Sequence, residues 1–207
     1  MKGLFNPDNF IIRGINRFGS IWWINILWLV CSLPIVTIGA STTALVYSCI
    51  KLKNNEGYVT SNFFKSFKEN LIEGTIIWII YLLLGVLMGV ALIFWNRQEG
   101  FGAILAWCID VVLILFYAIS LLYVFAILDV FKNGIVKTIK YSVLVAGDNI
   151  KATIVMSIFV MGVILINLTS VLAVNLITIN VGVGLVAYVL SYYYNDIFVK
   201  YGVEGNR

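Results

Sequence analysis

Four stretches of this chain are long and apolar enough to cross a bilayer, and very little separates neighbours. The runs at 74–95, 101–128, 151–172 and 176–197 each match the about 20 residues a helix needs to span hydrocarbon. Backbone groups in lipid must be bonded within their own segment, and the alternation of a barrel strand is absent, so the runs are helices. Links at 96–100 and 173–175 are short enough to force antiparallel hairpins. With 61% hydrophobic and 12% charged residues, the chain carries too much apolar surface for a water-soluble core. The expected architecture is all-α: one polytopic transmembrane helical bundle over 1–207.

The segment 19–50 is harder to place. Pro34 and Gly39 break it at 34–40, and it is too long for one ordinary span yet short for two. Charge decides between the alternatives, because Lys and Arg collect on the cytoplasmic side. A single crossing divides the 14 Lys and Arg residues into 10 and 4, whereas a double crossing divides them into 13 and 1. The second division predicts a helical hairpin with both termini cytoplasmic. Its arms, at about 13–15 residues and ~20–22 Å, fall short of the ~30 Å core, so the hairpin is re-entrant or sheltered by other helices. Residues 1–18 form a polar and aromatic lead-in unlike a secretory signal, so a retained anchor is expected.

Three amphipathic stretches join these spans. The first, in 1–18, opens on Asn6-Pro7-Asp8, a helix start with a cap, a first-position proline and an acid at the positive dipole end. The second is 61–70, where Phe63, Phe64, Phe67 and Leu71 share a face away from Lys65 and Lys68. In the third, around 131–143, Phe131, Ile135 and Ile139 oppose Lys132, Lys137 and Lys140. Each is expected to lie in the membrane interface or to dock a partner. A faint internal echo relates the text after Asn70 to that after Asn149.

The sequence carries no histidine, no P-loop, no nucleophile motif and no metal-ligand cluster, so neither an enzyme nor a cofactor or metal is expected. Cys31, Cys49 and Cys108 lie far apart in apolar text and read as packing residues. Nothing points to nucleic acid. Asp110 is the ionisable residue most clearly inside a span, where a carboxylate costs several kcal/mol unless paired, hydrated or protonated. It is a candidate ion or ligand contact, or a carboxyl bonded to a neighbouring helix. Ser41, Thr42 and Thr43, near a helix restart, are candidates for ligand contact or for close packing. Gly85 and Gly89 form a GxxxG packing motif, and Asn25, Asn167 and Asn180 read as glue between helices.

The segments "LFNPDNFIIRGINRFGSIWWINILWLVCSLPIVTIGASTTAL" and "EGYVTSNFFKSFKENLIEGTIIWII" resemble the YesL-type family of bacterial integral membrane proteins, a domain family of unknown function. The specific parts are Phe5-Asn6-Pro7, the stretch from Leu33 to Ala40, and Phe64-Lys65-Ser66-Phe67-Lys68. The carboxy-terminal half matches only in general character. The resemblance implies a place in the bacterial cytoplasmic membrane near sugar-utilisation genes, and no catalytic residues. The expectation is a non-enzymatic accessory or regulatory component of carbohydrate uptake, in contact with lipid and with a sugar permease or other membrane protein. A small transporter or channel, a membrane scaffold and a homo-oligomer remain open.

Overall fold

The computed structural model describes residues 10–131, 134–168 and 172–202, the side chains of Phe10, Ile11 and Ala173 excepted, and among these no strand occurs. The Phe5-Asn6-Pro7-Asp8 entry, Lys2, Lys132 and Arg207 lie outside the described residues. Helix α1 (Phe10–Cys31) leads through a bend and a 3-10 turn (Ile35–Thr37) into α2 (Ile38–Lys53), followed by α3 (Val59–Glu69) and α4 (Leu71–Asn96). Then come α5 (Phe101–Phe131), α6 (Ile135–Asp148), α7 (Ile150–Asn167), α8 (Leu172–Ile177), a π turn (Thr178–Gly182) and α9 (Val183–Lys200).

Asparagine makes the corner at two places. The Asn70 amide donates to the Ser66 carbonyl at 2.9 Å, and its own carbonyl accepts the Gly74 N–H at 2.8 Å. The Asn149 amide donates to the Val145 carbonyl at 2.9 Å, and its carbonyl accepts the Thr153 N–H at 3.0 Å. One side chain thus satisfies a terminal carbonyl of the first helix while the same residue starts the second. The echo in the sequence is, at these two points, the same device: a short amphipathic helix turning sharply into a long apolar one.

Among the described residues five helices are long and apolar enough to cross a membrane: Ile35–Lys53, Leu71–Asn96, Phe101–Phe131, Ile150–Asn167 and Val174–Lys200. Only 11% of the apolar windows in α4 and α7 is buried inside the protein. Leu83, Leu87 and Val90 on α4, and Ile109, Val112 and Phe116 on α5, are exposed. Apolar surface on this scale needs lipid as solvent. The chain is a multi-pass membrane protein.

The interior gathers around one end of α5. Seven consecutive residues from Tyr123 to Asp129 are buried on every side of that helix. Its 31 residues rise ~46 Å, well beyond the ~30 Å hydrocarbon core, so one end must project among other elements. Tyr194 stacks on Phe198, meets Tyr123 edge-on and donates to the Leu122 carbonyl at 2.6 Å. Hydroxyls fasten the same region: Tyr81 to Ser120, Ser120 to Ser142 at 2.6 Å, and Tyr123 to Thr153 at 2.8 Å.

Several expected boundaries move. Helix α1 passes residue 18 without a break, so the lead-in from Phe10 onward and the first arm are one 22-residue helix. Arg13, Asn16 and Arg17 mark its polar end and leave the backbone helical throughout. The interruption falls at 32–37, and Gly39 lies inside the first turn of α2, so Pro34 sits at the break and Gly39 does not. The link expected at 173–175 is helical. Helix α7 ends at Asn167 and Leu168 begins a turn. Both amphipathic helices beyond α1 pack against protein: Phe63 of α3 is fully buried beside Leu45 and Cys49, and α6 buries Thr138, Ser142, Val145 and Ala146. The expected apolar face of α6, Ile135 and Ile139, is only partly covered.

Candidate functional site

The hydroxyls at the hairpin are turned inward. Ser41 Oγ lies 2.6 Å from Ser32 Oγ and 3.0 Å from the Ile38 carbonyl. Thr42 Oγ1 accepts from the Trp28 indole at 3.2 Å, and Thr43 donates to the Gly39 carbonyl at 2.9 Å. The three side chains fasten α2 to α1 and to its own first turn, running the two helices antiparallel. Gly39 explains the close approach next to them. A Cβ there would overlap the Gly74 carbonyl oxygen and lie 2.7 Å from Trp78 Cβ, so α2 crosses α4 backbone to backbone.

Asp110 sits apart from this cluster, in the first half of α5. It is 7% exposed, on the stripe with buried Ala103 and with Tyr117, whose hydroxyl donates to the Tyr81 carbonyl of α4 at 3.0 Å. Among the described residues, its buried Oδ2 has no hydrogen-bond partner. Across the same helix pair, a Cβ on Gly85 would meet the Tyr117 hydroxyl at 2.8 Å, while one on Gly89 would meet nothing within 4 Å. Of the GxxxG pair, Gly85 alone has a neighbour close enough to require glycine.

The asparagines divide as well. Asn167 and Asn180 donate to carbonyls of their own helices, Val163 and Leu176, at 2.8 Å. Asn25 is fully buried and bridges helices. Its amide nitrogen donates to the carbonyls of Ile179 and Asn180 at 2.9 and 2.7 Å, and its oxygen accepts the Gly184 N–H at 2.8 Å. The side-chain amide is inserted into the backbone ladder of the π turn, the kind of intrusion that bends a helix.

One constellation was not visible beforehand. Arg13 and Arg17 lie one turn apart on α1, with Asn16 and Ser20 beside them, and Tyr188 and Tyr192 lie one turn apart on α9 with rings edge-to-face at 5.5 Å. Between these helices, and closed by Leu52 and Asn55 from the end of α2, is a groove of about 660 Å³. Asn55 is held at φ 56°, in the left-handed region asparagine tolerates, and its Oδ1 accepts from the Arg17 guanidinium at 2.9 Å. Lys53 stands 4.6 Å from the Tyr192 ring centre and 3.5 Å from Asp196. Among the described residues no carboxylate lines the groove. The available signal was Arg13 and Arg17 at helical spacing; their partners lie far along the chain.

The groove opens at the end of the molecule where most charge collects. Lys200 donates to Asn149 Oδ1 at 3.1 Å, and Tyr201 donates to Asp148 at 3.0 Å, tying α9 to the corner between α6 and α7. Burial first, and then that bond to Asp148, raise the Tyr201 phenol above its ordinary value. Arg97, in the turn between α4 and α5, stands at the opposite end.

A family model described as "Protein of unknown function, DUF624" matches residues 21–92. That segment carries the α1–α2 bend, α3 and the Gly39–Gly74 crossing; it holds Leu52 and Asn55 of the groove but not Arg13, Arg17, Tyr188 or Tyr192. No curated protein and no solved structure matches the chain.

Proposed function

We propose that the protein is a non-enzymatic accessory or regulatory component of carbohydrate uptake in the bacterial cytoplasmic membrane. The observation that carries the docking role is the basic end of the bundle: Lys65 and Lys68 on α3 and Lys137 and Lys140 on α6 line solvent-facing sides of helices whose other faces pack on the protein. The carbohydrate assignment rests on the resemblance to YesL-type proteins. In this reading α4, α5, α7 and α8–α9 cross fully, and α1 and α2 form a re-entrant hairpin. Both ends of α2 meet helix ends, Gly39 at the start of α4 and Lys53 near the end of α9, while Leu33, Ile35 and Val36 expose apolar surface at the bend. The charge rule then puts the basic end and both termini in the cytoplasm.

Topology has its own test. With the native cysteines replaced, Ser61→Cys is expected to react with an impermeant maleimide only after lysis, and Gln98→Cys in intact cells. Labelling of Ser61→Cys from outside rejects the orientation. For the docking role, a tagged protein purified from native membranes should carry sugar-permease subunits, and replacing Lys65, Lys68, Lys137 and Lys140 by Gln should reduce their recovery at least fivefold. Equal recovery from both proteins removes the basic face as the docking surface.

The buried, unpartnered Oδ2 of Asp110 favours a second reading, a small transporter or channel. Flux into liposomes holding this protein alone, abolished by Asp110→Asn, is its signature. If neither permease nor flux is found, a scaffold role remains.

A further inference from the structure

We infer that the groove between α1, the end of α2 and α9 binds a phosphate ester of a small polyol, with Arg13 and Arg17 on the phosphate. Two guanidiniums on consecutive turns of one helix present two planar forks to the same space, and such forks match phosphate oxygens two at a time. A phosphate group, tetrahedral and with two or three terminal oxygens that can each accept more than one hydrogen bond, can accept from both forks at once. Arg17 is oriented by Asn55 and also bonds the Tyr188 phenol, which holds its guanidinium at the groove. Arg13 makes no hydrogen bond or ion pair among the described residues. Among the described residues no lining carboxylate competes for either cation.

The volume, about 660 Å³, falls in the range of pockets for small organic ligands and leaves room beyond a bare phosphate. Asn16, Ser20 and the phenols of Tyr188 and Tyr192 supply donors and acceptors suited to hydroxyls on the attached group. Phosphate esters of this kind reach the groove from two sources, the headgroup of an anionic lipid or a soluble metabolite. The groove is independent of the docking and transport readings above.

The full-length protein in phosphatidylcholine nanodiscs should be titrated with glycerol 3-phosphate. In parallel, retention of phosphatidylglycerol by the detergent-solubilised protein should be counted by native mass spectrometry. At least one probe is expected to bind, with affinity falling tenfold or more in Arg13→Gln and in Arg17→Gln, and staying within twofold in Lys151→Gln, an exposed cation outside the groove. Binding of phosphatidylglycerol alone assigns the lipid source; binding of glycerol 3-phosphate assigns the soluble one. Because Arg17 also holds Asn55, Arg13→Gln is the variant whose folding is not at stake. The inference is overturned if neither probe binds, if Arg13→Gln binds like the wild type, or if Lys151→Gln loses as much.

Discussion

Asn25→Ala is expected to lower stability by about 3 kcal/mol, since it removes three buried hydrogen bonds at a net value of about 1 kcal/mol each. The groups left behind are backbone: the carbonyls of Ile179 and Asn180 and the N–H of Gly184. They cannot turn to water inside a membrane bundle, and reforming the ordinary bond between Gly184 and Asn180 would require the extra residue of the π turn to be absorbed elsewhere. Gly184 is itself closely packed, a Cβ there standing 3.0 Å from the Ile21 carbonyl oxygen, so α9 has little freedom to rotate against α1. By the size scaling of unfolding entropy, about 3 kcal/mol corresponds to a fall of roughly 6–12 °C in Tm. Asn25→Asp should do no better, because it keeps the acceptor for Gly184 but sets a carboxylate against two carbonyls. Asn167→Ala and Asn180→Ala, whose amides serve only their own helices, should shift Tm by less than about 2 °C, the usual scale of surface changes. Thermal unfolding in detergent decides the matter: an Asn25→Ala protein melting with the wild type would show that the inserted amide does not hold the π turn.

This contrast also marks how far sequence reading reaches. Spans were legible because length and apolarity are local properties; the text from Leu71 to Asn96 or from Phe101 to Phe131 announces itself without reference to the rest. Asn25, Asn167 and Asn180 look alike by the same local criteria, since each is a lone amide in apolar surroundings. Only the position of α1 against α8–α9 makes Asn25 a bridge. The groove was hidden for the same reason: Arg13 and Arg17 lie near one end of the chain and Tyr188 and Tyr192 near the other, and the fold brings them together. Polar residues near a helix start also misled. Arg13, Asn16 and Arg17 suggested an interfacial helix ending at residue 18, yet nothing in Phe18-Gly19-Ser20 stops α1, which continues to Cys31. Asp110 was legible as a buried acid, and its place in the first half of α5 follows from counting along the helix. What the unpartnered oxygen does depends on neighbours that spacing does not reveal.

Gly39→Leu should leave no monodisperse protein, the largest effect expected of any single glycine in the chain. Overpacking a core costs typically 1–3 kcal/mol when side chains can shift, and more when they cannot. At Gly39 the obstacle is the Gly74 carbonyl oxygen and, at 2.7 Å, Trp78 Cβ, both fixed to the α4 backbone. The reciprocal glycine is as tight, with a Cβ on Gly74 standing 2.9 Å from Ala40 Cα, so neither helix can yield toward the other. Separating them would also strain the Asn70 and Ser66 bonds to Asp129, at 2.7 and 2.6 Å, which anchor the start of α4 to the end of α5. Gly85→Ala meets a different obstacle, the Tyr117 hydroxyl at the tip of a side chain. It can swing aside at the loss of its bond to the Tyr81 carbonyl, about 1 kcal/mol. Gly89→Ala meets nothing and exchanges glycine for a better helix former, so it should be neutral or stabilising by up to about 1 kcal/mol. Yield and melting temperature in detergent should therefore fall in the order Gly89→Ala, Gly85→Ala, Gly39→Leu. A well-behaved Gly39→Leu protein would mean that α2 does not cross α4 at this contact.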